Sequence, residues 1–160
     1  MQIVFITTGG TIDKIYFDAK SSFEVGESVI EHVLRQGEVA FDYKIVSLMR
    51  KDSLEVTDED RTLIRTTVEN LSCRHIVITH GTDTMAETGR ALTGIDGKII
   101  VLTGALHPAR FQSSDAEINI GLALGAVQTC PDGIYVAMNG CIFDPCAVQK
   151  NREQNRFEKI

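Results

Sequence analysis

The chain has 160 residues, 43% of them hydrophobic and 24% charged, and a formal net charge of −6. This length suits one domain with a sizeable core, and the composition is typical of a soluble globular protein. The acidic balance argues against a nucleic-acid partner, and no apolar stretch approaches membrane-spanning length.

The first half of the chain alternates between strand and helix signals. Apolar β-rich runs and polar segments predict a strand (2–7), a polar loop (to about 27), a helix (28–37), a strand (41–48) and a helix (57–71). Ser28 with Glu31 three residues later predicts a capping box, and Gly37 marks the end of that helix. Thr57 precedes three acidic residues, which favours a helix start there.

The second half continues the same alternation. Its predicted elements are a strand (75–79), a turn and helix (80–93), a strand (98–103), a helix (114–128), a strand (134–138) and a returning strand (141–143). Asn139-Gly140 predicts a hairpin turn, Ser114 a second capping box, and little regular structure is expected after Lys150. This order predicts an α/β fold: one three-layer α/β/α domain with a mainly parallel sheet and a terminal antiparallel hairpin.

Two threonine-bearing loops, Thr7–Ile12 and His80–Thr84, directly follow predicted strands. Ligands of parallel sheets collect beyond the carboxyl ends of the strands, so both loops should open into one crevice. Hydroxyls that converge there, one of them beside a carboxylate, favour nucleophilic attack on an acyl group.

The first loop has three comparable interpretations. Gly9 and Gly10 lack a Cβ, so the backbone can turn sharply and a ligand can approach it. Thr11 would then be a nucleophile, but the loop could equally be a plain turn or a phosphate cradle. The glycine spacings typical of nucleotide-binding loops are absent.

The second loop is also ambiguous on its own. Thr82 or Asp83 could simply cap the next helix, or Thr82 could supply a hydroxyl and an oxyanion-stabilising N–H. A threonine needs a base, and Lys150 could be one if burial favours its neutral form, although a solvated surface lysine is the commoner case.

The cysteines favour a reducing compartment and no metal site. Without an export signal at the start of the chain, the expected location is cytoplasmic, and the thiols should be reduced. Cys141 and Cys146 lack a completing ligand set, so no metal is predicted. The four cysteines are Cys73, Cys130, Cys141 and Cys146.

Together, the two loops and the lysine resemble the amino-terminal domain of the bacterial-type L-asparaginases. Thr8–Ile12 and His80–Met85 are similar to the two signature sequences of that family, and the resemblance covers nearly all of the 160 residues. Further matches are Phe23-x-Val25-Gly26, Gly104-Ala105-Leu106-x-Pro108, Ser114-Asp115, and Met138-Asn139 leading to Lys150.

The resemblance implies roles for individual residues. Thr11 would be the nucleophile that forms an acyl-enzyme, and Thr82, Asp83 and Lys150 a second triad. Asp83 would also bind the substrate's α-amino group. Gly10 and Gly81 would line the substrate site, Asp13–Glu27 would form a lid, and no cofactor is implied.

Two local departures from the family pattern concern substrate binding. Phe23 stands where the family usually has a lid tyrosine, so a ring without its hydroxyl is expected beside Thr11. Arg50-Lys51-Asp52-Ser53 aligns with the family segment that contains the substrate-carboxylate pair. Two adjacent cations after a strand end could hold a carboxylate or a bulkier acid, or form a solvated basic patch.

Family members are about twice this length, and a neighbouring subunit's second domain completes each site, so the expected assembly is a homo-oligomer, at least a dimer. A naturally short protein and a fragment both fit the sequence. The expected activity is hydrolysis of a small amino acid's side-chain amide, most simply L-asparagine to L-aspartate and ammonia. The alternatives are a related amidase with another acidic substrate and a non-catalytic amino-acid sensor.

Overall fold

A computed structural model describes residues 1–17 and 22–160. The strands are β1 (Gln2–Gly9), β2 (Lys14–Phe17), β3 (Ser22–Val25), β4 (Asp42–Lys51), β5 (His75–Thr79), β6 (Ile99–Thr103), β7 (Gly133–Met138), β8 (Cys141–Phe143), β9 (Val148–Asn151) and β10 (Arg156–Lys159). The α-helices are α1 (Ile30–Gln36), α2 (Asp58–Asn70), α3 (Met85–Ala91) and α4 (Ala116–Thr129).

Six strands form the central sheet in the order β4-β1-β5-β6-β7-β8. The first five are parallel, with Ile3 opposite His75 and His75 opposite Ile99, whereas β8 returns antiparallel beside β7. Asn139 and Gly140 both have positive φ (52° and 75°), as the predicted hairpin turn requires. The predicted α/β class is therefore confirmed.

Alternate residues of β1 serve two separate cores. Ile3 and Phe5 point into the layer with α1 and α4, whereas Val4 and Ile6 point into the layer with α2 and α3. All four are at most 2% exposed, because parallel strands in such folds are covered on both faces. The sheet thus separates two helical layers. Because helices cover both of its faces, a functional site is expected at the ends of its strands.

Three boundary predictions were wrong. The segment to Glu27 is not simply a polar loop, since β2 and β3 pair antiparallel within it. Arg50 and Lys51 do not follow a strand end, because β4 extends through both. Lys150 lies within β9, which pairs antiparallel with β10, so the segment after it is more ordered than predicted.

The predicted helix starts have different outcomes. Thr57 caps α2 in a capping box with Asp60, as a helix start there requires. Neither predicted serine capping box forms, because α1 begins after Val29 and α4 after Asp115. Ser28 and Ser114 instead accept local hydrogen bonds from the backbone N–H groups two residues ahead, at 3.4 and 3.1 Å.

Among residues 1–17 and 22–160, no helix has the length and apolar character needed to cross a membrane. The same residues contain no cluster of three or more histidine, cysteine or acidic side chains that could hold a metal ion.

Candidate active site at the sheet's switch point

The two threonine loops meet where the strand order reverses. From β1 the chain goes outward to β4 on one side, and then from β5 toward β8 on the other. The loops that follow β1 and β5 therefore flank the position at which open α/β sheets bind ligands. A hydrogen bond from Thr8 Oγ1 to the Thr79 carbonyl (2.8 Å) ties the two strand ends together.

Two glycines allow the loops to touch. Gly9 and Gly10 have φ values of 96° and 91°, and Gly10 N donates to the Lys51 carbonyl at 2.9 Å. A Cβ on Gly10 would lie 2.4 Å from both Cα and N of Gly81. Because neither Gly10 nor Gly81 has a side chain, their backbones can lie in direct contact. The next residue in each loop, Thr11 and Thr82, therefore lies on one of two adjoining turns.

We expect Gly10→Ala to destabilise the protein by about 2 kcal/mol or more, through positive-φ strain and the clash with Gly81. Gly121→Ala is the matched control, since a Cβ at that position in α4 meets nothing within 4 Å. It should stabilise by roughly 0.5–1 kcal/mol. Urea unfolding of both variants measures the contrast, and equal stability would contradict the close loop contact.

Thr11 opens a short 3₁₀ turn, Thr11–Asp13, directly after the glycine pair. Its side chain is half-buried, and its hydroxyl makes no hydrogen bond to other described residues. A hydroxyl in this state can turn toward a ligand without breaking a bond in the protein.

Lys150 joins the second loop to the β9–β10 hairpin. Its Nζ donates to Thr82 Oγ1 at 2.7 Å and to Asp83 Oδ1 at 3.0 Å, and its side chain is 14% exposed. A hydroxyl, an amine and a carboxylate thus form a connected set from residues 67 or 68 positions apart. This set can move a proton between Thr82 and Lys150 while Asp83 fixes the amine.

Ser53 supports Asp83 from the end of β4. It is 2% exposed, its Oγ accepts from Asp83 N at 3.2 Å, and it lies 3.5 Å from Asp83 Oδ2. Its backbone carbonyl accepts from Thr84 Oγ1 at 2.7 Å. The loop is therefore held on both sides of Asp83 by one buried serine.

His80 supports the second threonine loop through hydrogen bonds of its ring. It is fully buried, and its Nδ1 is 2.7 Å from the Gly81 carbonyl, so this nitrogen carries the proton. Nε2 then accepts from Thr88 Oγ1 at 2.9 Å. Burial lowers the pKa of His80 to about 4, so the ring is neutral at neutral pH and has a supporting, not a charged, role.

The predicted basic pair has acidic partners of its own. Lys51 Nζ contacts both carboxylate oxygens of Asp60 (2.7 and 2.9 Å), and Arg50 reaches Glu27 at 3.4 Å. Asp52 pairs with Lys14 at 2.6 Å. No side-chain hydrogen bond or ion pair within the described part of the chain joins these three residues to the Lys150 set, and their substrate-binding role stays a prediction.

Phe23 lies on β3 of the predicted lid and is 48% exposed. Its ring makes edge contacts with Tyr16 and Phe111, with centroids 5.3 and 5.9 Å apart. The lid prediction, Asp13–Glu27, is only partly described, because residues 18–21 lie outside the described residues. The hairpin's aromatic face is thus packed toward the Phe111 loop.

Asp13 lies at the base of the β2–β3 hairpin and accepts hydrogen bonds from the residues that follow it. It is 2% exposed, its Oδ1 accepts from Val29 N at 3.0 Å, and its carbonyl accepts from Gly26 N at 2.8 Å. Burial raises the pKa of Asp13 to about 6, although the bond from Val29 acts against this shift. Ionised Asp13 is therefore an unfavourable buried charge at neutral pH.

This shift predicts a stabilising Asp13→Asn substitution. The folded state holds the Asp13 proton more tightly than the unfolded state between pH 3.8 and about 6. Wild type therefore loses stability relative to the variant as the pH rises through that window, by about 3 kcal/mol in total. Urea unfolding from about pH 4 to about pH 8 measures the difference. A difference that does not change with pH would contradict the prediction.

Comparison with known proteins identifies the family. The family model described as the amino-terminal domain of asparaginase matches residues 2–158. The chain belongs to the asparaginase family. A glutaminase-asparaginase of Acinetobacter glutaminasificans is 29% identical over 157 residues, which cover 89% of this chain and 47% of that protein. This asparaginase-family chain thus spans about half the length of that relative.

Two further relatives match all or part of the chain. The thermostable L-asparaginase from Thermococcus kodakarensis superposes with a TM-score of 0.86 at 28% identity, covering 100% of this chain and 51% of that one. A component of the glutamyl-tRNA(Gln) amidotransferase of Methanococcus vannielii is 42% identical over 83 residues, 51% of this chain and 19% of that protein.

Sequence reasoning missed two contacts of Asp83. Arg152 Nε lies 3.6 Å from Asp83 Oδ1, and Ser53 contacts the same residue from the 3₁₀ turn after β4. Arg152 lies in the turn directly after β9, and the sequence predicted little regular structure after Lys150, so no signal pointed to Arg152. Ser53 carried no signal either, since it meets Asp83 across 30 positions of the chain.

Proposed function

We propose that this asparaginase-family chain hydrolyses the side-chain amide of a small amino acid or a close analogue, with Thr11 as nucleophile. The observation that carries the proposal is the contact of Lys150 Nζ with both Thr82 Oγ1 and Asp83 Oδ1 beside the Thr11 loop. The contact lies at the sheet's switch point, where open α/β sheets bind their ligands.

The proposed reaction has two halves. Thr11 Oγ attacks the amide carbon while its proton passes to the Thr82–Lys150 pair, and this proton then leaves with the amine as ammonia. Water attacks the resulting ester and releases the acid. The N–H of Thr82 stabilises the negative charge on the substrate oxygen in both halves. These steps require no metal or organic cofactor.

Ammonia release from purified protein tests the proposal. L-Asparagine, L-glutamine and their D forms should be compared at equal concentration, because the relatives include a glutaminase-asparaginase and an amidotransferase component. Release above the uncatalysed rate for any of them supports the hydrolase. Binding of the corresponding acid without any release would favour the amino-acid sensor instead.

The proposal extends to location and assembly. The four cysteines are free, which suits a reducing compartment such as the cytoplasm. A homo-oligomer is proposed because the Thr82–Lys150 side of the site opens into a solvent-facing cleft lined by Asp83, Lys150 and Arg152. Sedimentation of the purified protein with and without the product acid tests this assembly.

A further inference from the structure

We propose that the outer edge of β4 is an interface between two copies of this chain, which pair antiparallel through β4 and join their central sheets into one. Three features of β4 carry this inference: a long unpaired edge, an uncharged centre, and charges of opposite sign at its two ends. The interface is separate from the cleft beside Lys150, and the inference does not depend on the proposed activity.

β4 lies at one edge of the central sheet and pairs with β1 on one side. Within residues 1–17 and 22–160, no backbone hydrogen bond reaches Asp42–Met49 from any element other than β1. β4 has 10 residues, whereas β8 at the opposite edge has 3. Because an edge strand presents free N–H and C=O groups, a long one is a template for a further strand.

The apolar side chains of β4 remain partly exposed on both faces of the sheet. Ile45 packs against the core with α1 and α4, and Val46 and Leu48 pack against the core with α2 and α3, but all three are only half-buried. In the interior strand β1, Ile3–Ile6 are at most 2% exposed. A second sheet edge beside β4 would cover this remaining apolar surface, which favours association.

The charges of β4 match those of a second copy in the antiparallel direction. A two-fold axis at Val46 places Asp42 of one copy opposite Arg50 of the other, and opposite charges on facing strand residues stabilise the pair. The same register places Lys44 opposite Leu48, so no like charges face each other. The register of β4 against β1 shifts after Ser47, but the residue after Arg50 is also a cation, so the match in sign is kept.

Both ends of the proposed ion pair are accessible. Asp42 is exposed and makes no ion pair or side-chain hydrogen bond with another described residue. The Arg50 side chain is 53% exposed, and its ion pair with Glu27, itself 83% exposed, is long at 3.4 Å. Exposed pairs of this kind contribute little to stability. A carboxylate of a second copy can therefore bind Arg50 without displacing a buried group.

Sedimentation of the full chain at a series of protein concentrations tests the inference. Wild type should form a dimer. Asp42→Lys should raise the dimer dissociation constant by roughly tenfold or more, since cations then face each other at both ends of the interface. Asp96→Lys is the matched control, because it makes the same change in net charge at an exposed residue of the loop before β6. Its dissociation constant should equal that of wild type.

A charge exchange identifies the contact itself. Arg50→Asp alone should weaken the dimer as Asp42→Lys does, whereas the double variant Asp42→Lys/Arg50→Asp should recover most of the loss. Circular dichroism of each variant should match wild type, because both side chains are exposed. A monomeric wild type, equal dissociation constants for Asp42→Lys and Asp96→Lys, or no recovery in the double variant would overturn the inference. Absence of ammonia release from a chain that dimerises through β4 would reject the hydrolase alone.

Discussion

Replacement of Thr11 by valine should abolish ammonia release, with a loss on the order of 10⁴- to 10⁶-fold in kcat. Valine keeps the branched shape of threonine and removes only the hydroxyl. The loss should be this large because Thr11 is the proposed covalent nucleophile. The other residues of its 3₁₀ turn, Ile12 and Asp13, carry no hydroxyl that could replace it. Steady-state ammonia release measures kcat, and calorimetry with the product acid should show nearly unchanged affinity.

Thr11→Ser is the matched control. It restores a hydroxyl at the same backbone position and should retain activity within roughly tenfold of wild type. Turnover by Thr11→Val near the wild-type level would contradict the assignment and would point to Thr82, the other hydroxyl of the site. Equal loss in both variants would indicate that the substitution disturbs the Gly10 turn, which circular dichroism and urea unfolding would reveal.

The sheet was predictable because its strands are buried on both faces. Ile76–Ile78 and Ile99–Leu102 are uninterrupted apolar runs with little or no exposure, so their composition alone marks them as strands. The β2–β3 hairpin has no such signature. Tyr16 and Phe23 are about half exposed there, and a strand pair without a fully buried face produces no clear alternation of apolar and polar residues.

At the start of α1, a tertiary hydrogen bond replaces the local capping bond that the sequence predicted. Ser28 and Glu31 have the spacing of a capping box, but Asp13, 16 residues earlier in the chain, supplies the acceptor for Val29 N. Sequence reasoning weighs only nearby partners, so it placed the helix start at the serine. The same limitation applies to Ser53 and Asp83 in the site.

The joint occurrence of two loops and one lysine, and not any one of them, predicted the grouping that the structure shows for Thr82, Asp83 and Lys150. Thr82 alone was as consistent with a helix cap as with a catalytic hydroxyl. In the structure Thr84, not Thr82, occupies the cap position of α3, and the Thr82 side chain faces Lys150 instead. The sequence alone did not indicate the positive charge of Arg152 beside Asp83, because only the fold of the β9–β10 hairpin brings these two residues together.

Lys150→Met should reduce kcat by about 10³-fold or more on the amide that wild type hydrolyses fastest. Methionine keeps an unbranched apolar stem but removes the Nζ that contacts Thr82 Oγ1 and Asp83 Oδ1. In the proposed reaction, the proton released from Thr11 then has no amine to receive it. Lys44→Met is the matched control, because Lys44 is exposed on β4, and its activity should equal that of wild type.

Lys150→Arg separates proton transfer from charge. A guanidinium keeps the positive charge beside Asp83 but cannot act as a base, since it stays protonated in proteins. If Lys150 accepts the proton, Lys150→Arg should be about as inactive as Lys150→Met, while its thermal unfolding stays closer to wild type. If Lys150→Arg retains turnover, the amine serves only to orient Asp83, and the base must lie elsewhere. The two substitutions together therefore decide between a chemical and an electrostatic role for the one side chain that joins the second loop to the last hairpin.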